Sequence, residues 1–145
     1  MIPYPEDEYV IAIGKLAYAV SYLEWAILGD LPHISGLPPQ IGIEALTGKT
    51  TGGIADVIGS RAVLAQVSDP VIQNWLSEAS THLKAVSQAR NGILHARPAT
   101  INGRQRLNRW DPSRGETFAV EIDRINGLLE DIYARLSALN AIRLI

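Results

Sequence analysis

Arg90, Asn91 and His95 stand within one ten-residue stretch, Gln88 to Arg97, reading Gln-Ala-Arg-Asn-Gly-Ile-Leu-His-Ala-Arg. These side-chain types suit chemistry at a phosphodiester. Cleavage of RNA by its own 2′-hydroxyl needs a base for that proton, an acid for the leaving 5′-oxygen, and a cation for the charge that develops on phosphorus. Histidine does the first or the second near neutral pH. Arginine does the third, because its charged fork matches phosphate oxygens. Asn91 would orient His95 or the ribose. One chain supplies one such histidine, so an acid and a base at one phosphate would come from two copies.

The charge around this stretch is uneven. Six arginines (90, 97, 104, 106, 109 and 114) fall within 25 residues against a single acid, Asp111, a local balance of +5 in a chain of net charge −2. The rest of the chain therefore carries −7. Arg97, Arg104, Arg106 and Arg109 are read as RNA-binding residues that would contact phosphates without doing chemistry. A solvated loop would show the same run of charge. What favours binding is that the run directly follows Arg90 and His95.

The elements that must position these residues come next. Asp69 can cap a helix and Pro70 suits its first position. The helix then carries an apolar stripe through Ile72, Trp75, Leu76, Ala79, Leu83, Val86, Ile93 and Leu94, with Arg90 at its centre. It must end before Pro98, which places His95 in or just past the last turn. A first helix is expected from Asp7 to Leu28, with Val10, Ile13, Ala17, Val20, Ile27 and Leu28 on its main face and Glu24 inside that face. Two ions of opposite sign in two apolar stripes are expected to meet or to share one polar cavity, Glu24 supporting Arg90; a pair that only fixes helix register would look the same. A second face, Ile11, Tyr18, Tyr22 and Trp25, would pack on a third helix or on a second subunit, and a homodimer is expected.

Elsewhere the signals are local. Residues 29 to 53 read as loops, with His33 on the surface. Thr47-Gly48-Lys49-Thr50 lacks the first glycine of a phosphate-binding loop, since position 43 is Ile43, and no strand precedes it, so nucleoside triphosphate hydrolysis is rejected. A helix is expected from Gly53 to Val67 with Gly59 its weak point. His82 reads as a flank residue of the helix that follows. Asn102-Gly103 suits a two-residue hairpin turn, and Trp110 would pin that ribbon to the helices. The last helix is expected from Glu121 to Ile142, with Ile122, Ile125, Leu129, Ile132, Leu136 and Leu139 as its seam. The fold class predicted is all-α: a small antiparallel bundle of four to five helices with a short loop or β-hairpin after the motif helix. With 145 residues, 47% of them hydrophobic, residues 1–145 are read as one domain.

The absence of cysteine excludes a disulfide framework, a thiolate metal site and a cysteine nucleophile. The histidines and carboxylates show no ligand spacing, so neither a metal nor a cofactor is expected. The start of the chain is acidic and proline-rich, unlike a signal peptide, and the apolar run after it is broken by Lys15 and Glu24. A soluble cytoplasmic protein without a membrane partner is expected.

An arginine, a polar residue, three more residues and then a histidine, at the end of a helix in a small helical protein, resembles the Arg, four to six residues, His signature of the HEPN superfamily. The resemblance covers residues 90 to 95 closely and the helical layout loosely. It implies a metal-independent endoribonuclease whose composite site is built from two copies of the motif, with Arg90, Asn91 and His95 catalytic. It also implies RNA as substrate, a role as a toxin or antiviral defence effector, and an antitoxin or other regulatory protein as partner. The alternative is a catalytically silent helical module that dimerises or binds a partner protein through the same bundle, with Arg90 and Glu24 as structural ions.

Overall fold

The longest apolar run folds as α1, Asp7–Asp30, whose core face is set by Tyr9, Ala12, Leu16, Val20, Leu23 and Ile27 at helical spacing. This face is rotated from the expected one: Val10 and Ala17 lie outside, and Ile11, Tyr18, Tyr22 and Trp25 are exposed beside them. By length and composition, the segment Asp7–His33 is also apolar enough to cross a membrane. In the computed structural model, which describes all 145 residues, its inner face lies in the core.

Between residues 31 and 69 the chain is more ordered than loops. Two 3-10 turns lead to a one-turn helix, α2, Ile43–Leu46, which buries Leu46. The expected helix from Gly53 to Val67 is instead two, α3 (Thr51–Ile58) and α4 (Arg61–Leu64). The break has a packing cause. A Cβ on Gly59 would lie 2.2 Å from Ser80 Oγ, so only glycine admits this approach. Ser80 donates to the Ala55 carbonyl at 2.6 Å, and Ser60 starts α4 by accepting from Val63 N–H.

The central helix, α5, runs Pro70–Leu94 from the Asp69 cap, whose carboxylate accepts from Val71 N–H at 2.9 Å. Its buried residues are Trp75, Leu76, Ala79, Leu83, Val86, Ser87 and Ile93, with Arg90 in the gap before Ile93. His95 is its C-cap, and strand β1, Arg97–Ile101, starts two residues later. The Asn102-Gly103 turn, with both residues at positive φ, leads into β2, Arg104–Asp111.

The all-α prediction is corrected here. The chain turns again through Pro112 to Gly115 and adds β3, Glu116–Val120, giving an antiparallel sheet in the order β1-β2-β3. The protein is a mixed fold, 63% helical with six helices, and not a bundle of four to five. The hairpin signal lay in Asn102-Gly103. The third strand has no two-residue signature of its own, because its turn is closed by Asp111, which accepts from Ser113, and by Gly115 at positive φ. The last helix, α6, Ile122–Ala141, packs against α1 through Ile125, Leu129, Ile132 and Leu139.

The root of the sheet is fastened by two polar anchors. The buried Tyr9 hydroxyl donates to the Val120 carbonyl at 2.6 Å and accepts from Leu107 N–H at 3.0 Å, joining β2 and β3 where their pairing ends. Arg106, 4% exposed, lies 4.7 Å above the Tyr9 ring and is gripped by Glu6 through two bonds of 2.6 and 2.8 Å and by Glu121 at 3.3 Å. The α1 and α6 starts are thereby tied to one strand.

Candidate active site

The end of α5 and the free part of the sheet enclose a cleft of about 460 Å³, lined by Asn91, His95, Arg97, Asn108, Arg109 and Trp110 among others. Its lining is polar, with two hydrophobic residues among nine. Because His95 is the C-cap, at φ −90° and ψ 0°, its side chain leaves the helix where the chain turns into β1. It is exposed, and its ring has no hydrogen-bond partner in the protein. Trp110 is 60% exposed at the same cleft and does not pin the ribbon to the helices. An exposed indole at a cleft that Arg97 and Arg109 also line is a surface on which a base can stack.

Arg90 points elsewhere. Its Nη1 donates to Thr51 Oγ1 at 3.4 Å, and that hydroxyl donates to Glu24 Oε2 at 2.6 Å. Glu24 and Arg90 thus share one network, as their positions predict, but through Thr51 rather than by direct contact. Arg90 Nη2 donates to Asn91 Oδ1 at 3.3 Å, and its Nε is covered and unpartnered. Arg90 does not line the cleft; it holds Asn91, which does. The motif is therefore divided, with Asn91 and His95 at the cleft and Arg90 behind them.

The four arginines read as RNA-binding also divide. Arg97 and Arg109 line the cleft, and Arg104 is exposed at the start of β2. Arg106 is corrected: it is buried in its pairs with Glu6 and Glu121 and presents no charge to a ligand.

Two residues that sequence reasoning passed over belong to the site. Thr51 links the two ions. Gly92 lets Arg109 lie on the last turn of α5, since a Cβ there would fall 2.6 Å from Arg109 Nη1. A glycine inside a helix costs about 1 kcal/mol relative to alanine, and that unexplained cost between Asn91 and Ile93 was the available signal.

The other histidines offer less. His82 accepts from Arg135 Nη1 through Nδ1 at 3.1 Å, with Glu78 3.7 Å from Nε2. Burial, and then the Arg135 charge, push its pKa down. His33 borders a cleft of about 530 Å³ at the far end of α1, where Asp30 is closed by two bonds from Arg143 at 2.9 and 3.0 Å. No three His, Asp or Glu side chains converge as a metal-binding group. The chain matches no protein-family model, no curated protein and no solved structure.

Proposed function

We propose that the protein is a cytoplasmic endoribonuclease that cleaves RNA by attack of the 2′-hydroxyl; the endoribonuclease reading is what the resemblance at residues 90 to 95 implies. The observation that carries the reading is His95, exposed and unpartnered in a polar cleft beside Asn91, Arg97, Arg109 and the exposed Trp110. In the proposed step a base removes the 2′-proton, the 2′-oxygen bonds to phosphorus, the P–O5′ bond breaks, and an acid protonates the departing oxygen. The products are a 2′,3′-cyclic phosphate and a 5′-hydroxyl. His95 is one of the two proton-transfer groups, and Arg97 and Arg109 are the cations nearest the phosphate. Arg90 is a positioning residue acting through Asn91.

The second proton-transfer group comes from a second copy in this reading. Exposed Ile11, Tyr18, Tyr22 and Trp25 on α1, with exposed Tyr133 on α6, supply an apolar face for a homodimer. A toxin or antiviral role restrained by a regulatory protein belongs to the same proposal and rests on the resemblance alone.

RNA incubated with the purified protein tests it. His95→Ala should lower cleavage about 100-fold or more, the usual scale for a proton-transfer group, with the fold intact by circular dichroism. Chelator should leave the rate unchanged, DNA should resist, and sedimentation should show a dimer. Cleavage that survives His95→Ala, or that stops with chelator, contradicts the mechanism. The second reading, a silent partner-binding module, is favoured by one observation: the Arg90 fork is already occupied by Thr51 and Asn91. Absence of cleavage of any RNA by the wild type selects it.

A further inference from the structure

Beyond Arg109 the cleft does not end. A second cavity of about 320 Å³ is lined by Arg109, Asp111, Arg114, Phe118 and Arg124, so that Arg109 borders both. Arg109 and Phe118 are cross-strand partners on β2 and β3, which puts their side chains on one face. Arg124 rises from the first turn of α6 beside the same ring. Its Cζ lies 5.2 Å from the Phe118 centroid and that of Arg109 lies 5.9 Å away.

The charges here are not balanced pair by pair. Arg114 takes up the nearby carboxylates, Asp111 at 3.6 Å and Glu116 at 3.7 Å. Asp111 is further occupied by the Ser113 hydroxyl and N–H. Arg109 and Arg124 form no ion pair, yet one aromatic ring holds both guanidiniums beside it. Ring faces attract each cation, and an anion between the two like charges would relieve their mutual repulsion. Arg109 lies close over Gly92, where no Cβ stands in its way. The arrangement is two guanidinium forks that line one cavity, a geometry suited to a phosphodiester.

We infer that Arg109, Phe118 and Arg124 form a second phosphate subsite, which holds the RNA strand beyond the bond cleaved at His95. The inference rests on the proposed function for the identity of the strand. It adds a length requirement: a strand must span both cavities to bind fully, with Arg109 as the shared contact. Because the subsite is remote from the reacting phosphate, it contributes ground-state binding, which raises KM when lost and leaves kcat unchanged.

The test uses the full chain and a 2′-O-methyl oligoribonucleotide, which cannot be cleaved because its nucleophile is blocked. Binding is measured at several salt concentrations for the wild type, Arg124→Ala, and Arg61→Ala, the last removing an equal charge from the distant α4. Arg124→Ala should weaken binding of an octanucleotide by about tenfold at low salt and lower the salt slope by about 1, while a dinucleotide binds as before. Arg61→Ala should change neither. Phe118→Leu, which keeps apolar bulk but removes the ring, should weaken octanucleotide binding in the same direction. Equal effects of Arg124→Ala and Arg61→Ala, or an equal loss for dinucleotide and octanucleotide, overturn the subsite. The outcomes separate it from the catalytic reading. If no RNA is cleaved but Arg124→Ala, unlike Arg61→Ala, weakens the octanucleotide, the subsite stands and catalysis falls. Where RNA is cleaved and Arg124→Ala is without effect on binding or KM, catalysis stands and the subsite falls.

Discussion

The root and the free end of the small sheet use the same residue type for opposite ends. At the root, Arg106 is buried with Glu6 and Glu121 around it and the Tyr9 ring beneath it. Toward the other end of β2, Arg109, and Arg97 on the neighbouring strand, have no carboxylate partner and border an open cleft. Only Leu107 and Asn108 separate Arg106 from Arg109, yet one fastens the fold and the other faces the open cleft. A cluster of arginines is thus not one electrostatic object. What distinguishes its members is whether the fold has brought an acid to each of them.

The sharpest way to break this comparison is to remove one arginine from each region. Arg106→Ala removes a buried side chain and leaves Glu6 and Glu121 without their shared cation. It should give the largest fall in melting temperature of any single substitution in the sheet, with the salt dependence of RNA binding unchanged in the protein that folds. Arg97→Ala should do the reverse, leaving the melting temperature within about 2 °C, as a surface change does, and reducing the salt slope of RNA binding by about 1. Thermal melts and salt titrations of both variants check this. A salt slope that falls with Arg106→Ala would show that the root also meets the ligand.

A third setting lies between these extremes. Arg90 is half-buried, bonded to the neutral oxygens of Thr51 and Asn91, with Glu24 reached only through the Thr51 hydroxyl. Thr51→Val keeps the shape and removes the relay, so that Arg90 loses an acceptor and Glu24 a donor. A loss of about 1 to 3 kcal/mol is expected, the cost of leaving such groups unpaired. It should appear in the denaturant midpoint with the slope of the transition unchanged. If Glu24 and Arg90 are coupled through this hydroxyl, Glu24→Gln should cost less in Thr51→Val than in the wild type. Simple additivity would remove Thr51 from the network.

These three settings also show which parts of the molecule were legible in the sequence. The start of α5 at Asp69-Pro70, its end before Pro98 and the Asn102-Gly103 turn were all readable because each depends on neighbours along the chain. The first half of the α1 face was read one step out of phase, while Val20, Ile27 and Leu28 in its second half do face the core. Ile and Tyr surround much of this helix, so periodicity alone cannot separate Tyr9, Ala12 and Leu16 from Val10 and Ala17. Arg106 read as a ligand contact because its partner Glu6 lies one hundred residues away. The same distance effect hid Thr51, Phe118 and Arg124, whose meaning comes from the helix or strand packed beside them. That Glu24 and Arg90 belong together was visible, since a charge inside an apolar stripe needs a partner wherever the chain supplies one.

The smallest expected effect, and the one that isolates the root, is its response to acid. The paired hydrogen bonds from Arg106, then a backbone hydrogen bond, hold the Glu6 carboxyl down from its ordinary 4.5 to about 2. A depressed carboxylate pKa means that the unfolded chain binds the proton more readily than the folded one. The stabilisation from Glu6 is therefore fully present above pH 4.5 and is lost as pH falls from 4.5 toward 2. His82 acts earlier, because burial beside Arg135 lowers its pKa from the ordinary 6.5, and its contribution falls away below that value. Asp111, at the other end of the sheet, is lowered from its ordinary 3.8 chiefly by the Ser113 hydroxyl, so its contribution is lost as pH falls below that value. Thermal melts from pH 7 to pH 2 separate the three. Glu6→Gln should lower stability at pH 7 and flatten the decline between pH 4.5 and 2, while Asp111→Asn should flatten it less and His82→Gln should flatten only the part below pH 6.5. A Glu6→Gln protein that loses stability below pH 4.5 as steeply as the wild type would show that the Arg106 clamp holds the sheet by packing on Tyr9 and not by its ion pairs.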